Sequence, residues 1–239
     1  MVAALEREVR PLVKRWRVSE REHAGRRFRF FVLRSEKADE AVLVCGGIGA
    51  PAARRAAEAL IAIYAPTVVY SVGFAGGLVS ELKVGDVVQP ARVIDAGDGS
   101  RVDLAGGEGV LVSFGAVASP AQKAKLRESF GAQLVDMEAA AVARAAQARG
   151  VEFAAVKAIS DEFDFALPAL EQFIDAEGEL QQGRLAAYAA VRPWLWPKLG
   201  RLAINSNRAS RALSDWLATS LDRMIECAPE SKAEATHRP

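Results

Sequence analysis

The sequence has 239 residues, of which 51% are hydrophobic and 26% are charged, a composition that is typical of a soluble globular protein. This length suffices for one large domain or two small ones, and the formal net charge of +1 gives no electrostatic basis for binding nucleic acid. The sequence has no secretory signal pattern and no run of about 18 apolar residues, so we expect a cytoplasmic protein without a membrane span.

Cysteine and histidine are scarce, and their positions argue against several chemistries. Cys45 and Cys227 lie far apart without CxxC or Cys/His spacing, which argues against a disulfide framework and against a zinc site. His23 and His237 lie in polar, charged surroundings, which argues against a histidine-based catalytic triad. We therefore expect neither a metal nor an organic cofactor.

The predicted elements alternate between strands and helices along the chain. The first part predicts a very short strand within residues 1–5, a helix from Glu6, strands at 26–34 and 41–45, a helix at 51–65, and strands at 66–78 and 83–95. A turn-rich stretch at 95–109 is followed by a strand at 109–119, a helix at 120–131, a short strand passing into an alanine-rich helix at 132–150, and a strand at 151–160.

The character of the sequence changes after residue 168. Residues 184–225 are predicted to be helical with an interruption at 192–198, and a polar, disordered tail is expected to follow. We therefore divide the chain into an α/β core at 1–168, a C-terminal helical extension packed on the core at 169–226, and a polar tail at 227–239.

Strands that alternate with helices indicate a largely parallel sheet that is covered by helices on both faces. Such sheets bind ligands outside the carboxyl ends of their strands. Four groups of residues directly follow apolar, strand-like runs: Gly46 with Gly47, the glycines within 73–77, Met137 with Glu138, and Ser160 with Asp161. We expect these groups to converge on one crevice.

The glycines and acids in these groups each have a structural explanation as well as a functional one. The stretch SVGFAGGL is not a GxGxxG motif, so its glycines can serve a tight turn or a close approach of the backbone to a ligand. Asp136 and Glu138 can favour the start of a helix through its dipole, or one of them can accept the hydroxyls of a polyol. Asp161 can be a turn residue, or a carboxyl that burial keeps protonated for general-acid work.

Two further pairs of residues are ambiguous in the same way. Glu6 and Glu8 can form a solvated helix start or can contribute to the crevice. Trp194 and Trp196, which lie among basic residues, can pack in the core of the C-terminal helices or can form an amphipathic surface that contacts lipid or an apolar ligand.

Five motifs, taken together, are more specific than any one of them. ALEREV, GGIG, SVGFAGGLVSELKVGDVV, VDMEAAAVA and KAISDEFD occur in this order between residues 3 and 165. In this combination the sequence resembles the purine nucleoside phosphorylase and methylthioadenosine nucleosidase superfamily. The resemblance implies a three-layer α/β/α sandwich with a mixed central sheet, to which the C-terminal helical extension is added. It also implies an enzyme that cleaves the N-glycosidic bond of a purine ribonucleoside.

The resemblance assigns the chemical roles residue by residue. Asp161 matches the acid that protonates the purine at N7, and Ser160 lies beside it. Glu138 matches the acid that binds the ribose 2′- and 3′-hydroxyls, and Met137 matches a methionine packed on the sugar. Glu8 matches the glutamate that activates the attacking water in the nucleosidase branch. These residue types suit a reaction that passes through an oxocarbenium-like state.

The resemblance also assigns residues to the lining of the substrate pocket. Leu5 and Ile48 match positions around the sugar and the 5′-substituent, and Gly76 belongs to the glycine cluster beneath the substrate. Val117 lies where nucleosidases carry a phenylalanine that stacks on the base.

The attacking nucleophile can be water or phosphate in this superfamily. Phosphorolytic relatives usually place an arginine just before the glycine cluster to hold phosphate, and this sequence has Tyr70 and Ser71 there. Arg54 and Arg55 follow GGIGAP, but their helical spacing allows both to face solvent. Since Glu8 is present, hydrolysis is favoured, and inorganic phosphate remains open as a co-substrate.

The C-terminal third resembles a narrower group. ALPALEQFIDAEGELQ, followed by a basic helical region with tryptophans, resembles the hopanoid-associated phosphorylase subgroup, which is linked to the removal of adenine from adenosylhopane. The resemblance implies a bulky apolar 5′-substituent and a peripheral contact with the inner membrane through the region of Trp194 and Trp196.

Other substrates and a different class of protein remain open from the sequence. A methylthioadenosine or adenosylhomocysteine nucleosidase, or a futalosine hydrolase, would act on soluble substrates. A non-catalytic nucleoside-binding module on the same fold is the alternative of another class. Because relatives assemble into dimers or larger oligomers, a homodimer or higher homo-oligomer is expected.

Overall fold

The computed structural model describes residues 1–34, 41–166, 171–175 and 177–227. Within these residues eleven strands form one mixed sheet. The strands are β1 (Val2–Ala3), β2 (Arg17–His23), β3 (Arg26–Leu33), β4 (Ala41–Cys45), β5 (Val68–Gly77), β6 (Val87–Val88), β7 (Arg92–Asp95), β8 (Arg101–Asp103), β9 (Val110–Ser113), β10 (Leu134–Asp136) and β11 (Glu152–Asp161). The helices are α1 (Glu6–Val13), α2 (Ala50–Tyr64), α3 (Pro120–Phe130), α4 (Ala139–Gln147), α5 (Gln182–Ala190) and α6 (Trp196–Cys227).

Strand β5 is the centre of the sheet. Along one edge it pairs in parallel with β11 for almost the whole length of both strands. Along its other edge it pairs in parallel with β1 at Ser71, and then antiparallel with β10 at Gly76 and Gly77. Residues 72–75 therefore lie in an interval where β5 changes partners, and the sheet is split at this edge.

Helices cover both faces of the sheet. On one face α2 and α4 pack on Val69 and its neighbours through small, buried side chains such as Ala57 and Ala146. On the other face α1 and α6 pack on Val72 and Val156. Alanine-rich helices can approach a sheet closely because they carry little side-chain bulk. The three-layer α/β/α architecture with a mixed sheet, expected from the sequence, is thus confirmed.

The C-terminal region adds two helices, of which α6 is the longer with 32 residues. Helix α6 lies against α1 and β11, where Leu213 and Leu217 are buried. The Ser210 hydroxyl donates a hydrogen bond of 3.0 Å to the Arg7 carbonyl oxygen, which fixes the two helices further. The interruption expected at 192–198 is shorter than predicted, since α6 already begins at Trp196. The predicted boundary at residue 168 and the tail at 228–239 lie outside the described residues.

Two strands were not predicted from the sequence. Strand β2 forms a hairpin with β3, but it is polar and largely exposed on both faces, so it lacks the alternation that marks a half-buried strand. Strand β8 lies within the stretch 95–109, which was predicted to be irregular, and it pairs with β7. Strand β8 has only three residues, and the glycines and aspartates beside it are typical of turns, so the sequence did not indicate a strand.

Candidate active site

Two glycines of β5 form the floor of the site. A Cβ atom at Gly73 would lie 2.6 Å from Glu8 Oε2, and one at Gly76 would lie 2.9 Å from Asp161 Oδ2. Each glycine is therefore required so that a carboxylate can lie against the strand. The two positions are three residue steps apart along the strand, a span of about 10 Å. Both glycines admit side chains of the protein itself, and a close approach of the backbone to a ligand stays a prediction.

Glu8 lies in the first turn of α1 with only 6% of its surface exposed, so it is not a solvated helix start. Burial raises the pKa of Glu8 to about 7, although the cation of Lys157 opposes this rise. Among the described residues Glu8 Oε2 has no hydrogen-bond partner. This oxygen is therefore a buried acceptor that is available to a ligand or to water.

Lys157 on β11 is a buried cation that the sequence analysis did not single out. Its Nζ lies 2.8 Å from Asp136 Oδ2 and donates a hydrogen bond of 3.0 Å to Ser71 Oγ. Burial lowers the pKa of Lys157, but the carboxyls of Asp136 and Glu138 outweigh this effect and raise the pKa overall. The signal in the sequence was a single lysine within the apolar run AAVKAIS.

Asp136 has the structural role that was considered for the acids of VDMEAAAVA. Its carboxylate accepts hydrogen bonds from the Ala139 backbone N–H at 2.9 Å and from Ser113 Oγ at 2.5 Å. It therefore caps the first turn of α4 and balances the charge of Lys157. Asp136 is buried within the fold, so Glu138 is the acid of this motif that can line the predicted crevice.

Glu138 lies at the junction between β10 and α4. Its two carboxylate oxygens accept hydrogen bonds from backbone N–H groups, Gly49 at 2.7 Å and Met137 at 3.2 Å. Burial and then the charge of Asp136 raise the pKa of Glu138 to about 7, and Lys157 opposes them. Glu8 also acts on the pKa of Glu138. The two acids therefore belong to one electrostatic cluster around Lys157.

Asp161 is placed by an irregularity of β11. The register between β5 and β11 shifts between Ile159 and Asp161, which marks a β-bulge that re-aims the last side chains of the strand. Ser160 Oγ donates a hydrogen bond of 2.8 Å to Asp161 Oδ1. The ammonium of Lys123 contacts Asp161 Oδ2, and both side chains are almost completely buried. This lysine was not anticipated, because lysines on a predicted helix are usually solvated.

The remaining predicted residues surround this cluster to different degrees. Leu5 directly precedes α1, and the loop 46–49 that carries Ile48 is tied to the same segment by a 2.9 Å hydrogen bond from the Gly47 N–H to the Ala4 carbonyl oxygen. Met137 is half-buried beside Glu138. Val117 is half-buried on the loop between β9 and α3.

A segment of the C-terminal region covers the loop 46–49. The Ile48 N–H donates a hydrogen bond of 2.7 Å to the Gly178 carbonyl oxygen. Gly178 has φ of +89°, and a Cβ atom there would lie 2.5 Å from the Ile48 carbonyl oxygen. The contact thus requires glycine, and it brings the C-terminal region to the edge of the predicted sugar pocket.

The tryptophan and arginine expectations are partly corrected. Trp194 and Trp196 are 68% and 58% exposed, so the interpretation as core residues is wrong. Arg54 faces solvent and pairs with Glu58 at 2.8 Å, as expected. Arg55 does not face solvent in the same way, because its Nη2 is buried and has no hydrogen-bond partner among the described residues.

Among the described residues, no helix combines the length and the apolar composition that a membrane span needs. These residues also contain no group of three or more histidine, cysteine, aspartate or glutamate side chains arranged to hold a metal ion.

The fold is that of the nucleosidase and nucleoside phosphorylase enzymes. The sequence pattern of the Phosphorylase superfamily matches residues 1–114 and 108–192. This match extends over most of the sequence, and the chain belongs to the Phosphorylase superfamily.

Solved structures of nucleosidases have the same fold. Futalosine hydrolase of Helicobacter pylori aligns with a TM-score of 0.68 and 19% identity, covering 93% of this chain and 96% of that protein. The 5′-methylthioadenosine/S-adenosylhomocysteine nucleosidase of Neisseria meningitidis, in complex with methylthio-immucillin-A, aligns with a TM-score of 0.68 and 21% identity over 93% of this chain and 97% of that one. A Helicobacter pylori nucleosidase with 5′-methylthioadenosine in its active site aligns with a TM-score of 0.70 and 18% identity over 93% and 96%. At these identities the likeness concerns the fold.

Proposed function

We propose that this protein cleaves the N-glycosidic bond of an adenine ribonucleoside and that water is the nucleophile. The observation that carries the proposal is Glu8, a buried carboxyl with a pKa of about 7 and an oxygen without a partner among the described residues. A base whose pKa lies near the working pH is the most effective at taking a proton from water. Glu8 thus activates the water that attacks the anomeric carbon.

Glu138 is the proposed ribose ligand. The backbone N–H groups of Gly49 and Met137 hold its carboxylate in a fixed orientation. A carboxylate held in this way can accept the vicinal 2′- and 3′-hydroxyls. These hydrogen bonds strengthen as positive charge develops on the sugar, so they contribute more in the transition state than in the ground state. Met137 packs on the sugar, and Gly76 lies beneath it.

Asp161 is the proposed source of the proton that neutralises the departing adenine. It lies at the end of β11 where the bulge and the Ser160 hydroxyl orient its carboxyl. Its separation from Glu8 along β5, about 10 Å of strand, leaves room for the ribose between the acid and the base. Val117, on the loop before α3, is the proposed neighbour of the base.

An adenine-release assay tests the proposal directly. Wild-type protein is expected to release adenine from one or more members of a panel of 5′-substituted adenosines without added phosphate. Asp161→Asn is expected to lose this activity by about 100-fold or more, as for removal of a general acid. Equal release by the wild type and Asp161→Asn would refute the role of Asp161, and nucleoside binding without release would favour a non-catalytic binding module.

Phosphorolysis is the second candidate reaction, and Arg55 is the observation that favours it. A buried guanidinium nitrogen without a partner among the described residues is suited to an anion such as inorganic phosphate. The assay with and without phosphate separates the two reactions. A rate that depends on phosphate and falls in Arg55→Ala would assign phosphate as the co-substrate.

The proposed substrate has a bulky apolar 5′-substituent such as that of adenosylhopane. Leu5 and Ile48 supply apolar side chains at this end of the site, and the segment around Gly178 covers the loop that carries Ile48. Methylthioadenosine, adenosylhomocysteine and futalosine are the alternatives for which the panel also tests. The relative kcat/KM values across the panel decide between these 5′-groups.

A substrate of this kind would be embedded in a membrane, so we also propose a peripheral membrane contact. Trp194 and Trp196 are exposed next to Arg192, and two further basic residues, Lys198 and Arg201, are exposed on the first turns of α6. Aromatic rings with basic neighbours are suited to the interface of an anionic bilayer. The proposed location is therefore the cytoplasm, at the surface of the inner membrane, and the proposed assembly is a homodimer or higher homo-oligomer.

A further inference from the structure

Lys123 is a buried lysine near the start of α3, with only 1% of its surface exposed. Its ammonium donates hydrogen bonds to Asp161 Oδ2 and, at 2.7 Å, to the carbonyl oxygen of Glu162. Burying an ammonium is costly unless it is paired. The fold places this buried ammonium next to Asp161, the carboxyl that is proposed to protonate the purine.

Both carboxyl oxygens of Asp161 have a hydrogen-bond donor beside them. Oδ1 accepts from the Ser160 hydroxyl, and Oδ2 accepts from the Lys123 ammonium. The ammonium is in direct contact with the carboxyl, and both side chains are buried away from bulk water. Lys123 Nζ is therefore positioned to pass a proton to Asp161.

The strand beneath the pair is shaped to hold it. A Cβ atom at position 76 would lie 2.9 Å from Asp161 Oδ2 and 3.2 Å from Lys123 Nζ. Only glycine leaves this space open, so the ammonium, the carboxylate and the strand form one closely packed unit. The ion pair is thus built into the floor of the site.

We propose that Lys123 supplies, through Asp161, the proton that neutralises the departing purine. As the glycosidic bond breaks, its electron pair passes to the purine. In one concerted relay Lys123 Nζ gives a proton to Asp161 while Asp161 gives a proton to the purine, and Lys123 is left as a neutral amine that is recharged from solvent. The attacking water loses its proton to Glu8. Lys123 is thus a positioning residue that acts through Asp161, and the inference rests on the proposed function.

The other charged groups around the pair are distinct from it. Lys157, Asp136, Glu138 and Glu8 form the cluster at the ribose end of the site. Near the carboxyl end of β11 the described charged side chains include Glu162 on the same strand exit, Asp86 on the turn that bonds to Ile159, and Arg208 of α6 against Gly85. The titration of Glu8 and Glu138 changes the rates of the wild type and of the Lys123 variants by the same factor. The ratio of the wild-type rate to the variant rate therefore reports on the Lys123–Asp161 pair.

The pH dependence of Lys123→Met tests the proposal. In this variant Asp161 has no ammonium beside it and must take its proton from solvent, in which protons become scarcer as the pH rises. The ratio of wild-type to variant kcat/KM is expected to stay below about tenfold at pH 6 and to reach about 100-fold at pH 9. Lys125→Met, two residues along the same helix at an exposed position, is the matched control and should equal the wild type. The proposal would be overturned if the ratio of wild-type to variant kcat/KM were constant across pH, or if Lys123→Met lost no activity.

Two further variants separate proton supply from charge alone. Lys123→Arg keeps a cation that does not release protons at these pH values, so it is expected to remain impaired. Full activity in Lys123→Arg would overturn proton supply. Lys123→Ala leaves space for a small amine, and ethylamine, but not ethanol, is expected to restore its activity at pH 9. Equal effects of ethylamine and ethanol, including no recovery with either, would count against the proposal.

Thermal melts of each variant establish that folded proteins are compared. The wild type also separates this inference from the proposed function. If the wild type releases no adenine from any nucleoside of the panel, the proposed function fails. If the wild type is active and the ratio is independent of pH, only the role of Lys123 fails.

Discussion

Glu8 combines a buried position with an oxygen that has no hydrogen-bond partner among the described residues. Desolvation favours its protonated form, while Lys157 favours the carboxylate, and the balance gives a pKa of about 7. The carboxyl is therefore divided between its two forms at neutral pH. Both its catalytic role and its contribution to stability should change over the same range of pH.

The first prediction concerns the rate. A base must be ionised, so kcat/KM of the wild type should rise with pH through about 7, the pKa of Glu8. Glu8→Gln should lower kcat by about 100-fold or more because the amide cannot accept the proton of water. Glu6→Gln is the matched control, since Glu6 is partly exposed in the same turn and pairs with Arg29. A Glu8→Gln enzyme with the wild-type rate would contradict the assignment of the base.

The second prediction concerns the free energy of unfolding. The pKa of Glu8 is raised from 4.5 to about 7 in the folded protein, so its stabilising contribution is complete below 4.5 and is lost as the pH rises through 7. The Glu8→Gln side chain stays neutral at every pH, so the variant does not suffer this loss of stability. It should be more stable than the wild type at pH 9, by on the order of 3 kcal/mol, and should differ little at pH 5. Urea unfolding at the two pH values measures the difference, and a deficit at pH 9 would contradict it.

At the scale of elements, loop 46–49 connects the C-terminal region to the acids. Gly49 donates its N–H to Glu138, and Ile48 donates its N–H to Gly178. A displacement of the segment around Gly178 would therefore be transmitted to Glu138, the residue that is proposed to bind the ribose. This connection gives the C-terminal region an influence on the site even though it contributes none of the acids.

The third prediction tests this connection. Gly178→Ala places a Cβ atom 2.5 Å from the Ile48 carbonyl oxygen at φ of +89°, so the segment must move. The KM for a nucleoside with a bulky 5′-group should rise by about tenfold, while the fold of the core is retained. Gly183→Ala is the control, because a Cβ atom there contacts nothing within 4 Å. An unchanged KM in Gly178→Ala would show that the covering segment has no part in binding.

Most elements could be predicted because the positions that are buried in the fold carry apolar residues in the sequence. Apolar runs such as that of β11 and the spacing of α2 reflect burial, and Ser119 and Gly131 mark the ends of α3 through a capping box and a left-handed C-cap. Strand β2 could not be predicted, because it is held by backbone pairing to β3 while its side chains remain exposed. Backbone pairing leaves no mark in the pattern of side chains.

The site could be predicted in part for a related reason. The acids Glu8, Glu138 and Asp161 were found through the motifs that carry them, and the resemblance supplied their proposed roles. Their cationic partners could not be found in this way. Lys157 and Lys123 are distant in sequence from Asp136 and Asp161, and only the packing of β10 and α3 against β11 brings them together.

At the scale of the whole molecule, the exposed apolar side chains are concentrated near the start of α6. Val191, Trp194, Trp196 and Ile204 are among the exposed large hydrophobic residues, and basic residues lie between them. The acids of the proposed active site, Glu8, Glu138 and Asp161, all precede this region in the sequence. The proposed active site and the proposed membrane surface are therefore carried by different parts of the chain.

The fourth prediction tests this surface. The wild type should co-sediment with vesicles that contain anionic lipid. The Trp194→Ala/Trp196→Ala double variant should bind about tenfold more weakly, because it lacks two exposed aromatic rings that would insert into the bilayer interface. Val18→Ala, an exposed apolar residue on β2, is the control. The proposal of a membrane contact fails if the wild type stays in the supernatant or if the double variant binds equally.

The split edge of β5 has a consequence for how a ligand is held. Between its pairing with β1 at Ser71 and with β10 at Gly76, residues 72–75 have no register partner in either of these two strands. Main-chain donors and acceptors need partners when water is excluded. A nucleoside bound in the crevice would exclude water from this edge. Its binding should therefore slow hydrogen exchange at those amides of residues 72–75 that point away from β11, so that occupancy of the site can be followed on the backbone itself.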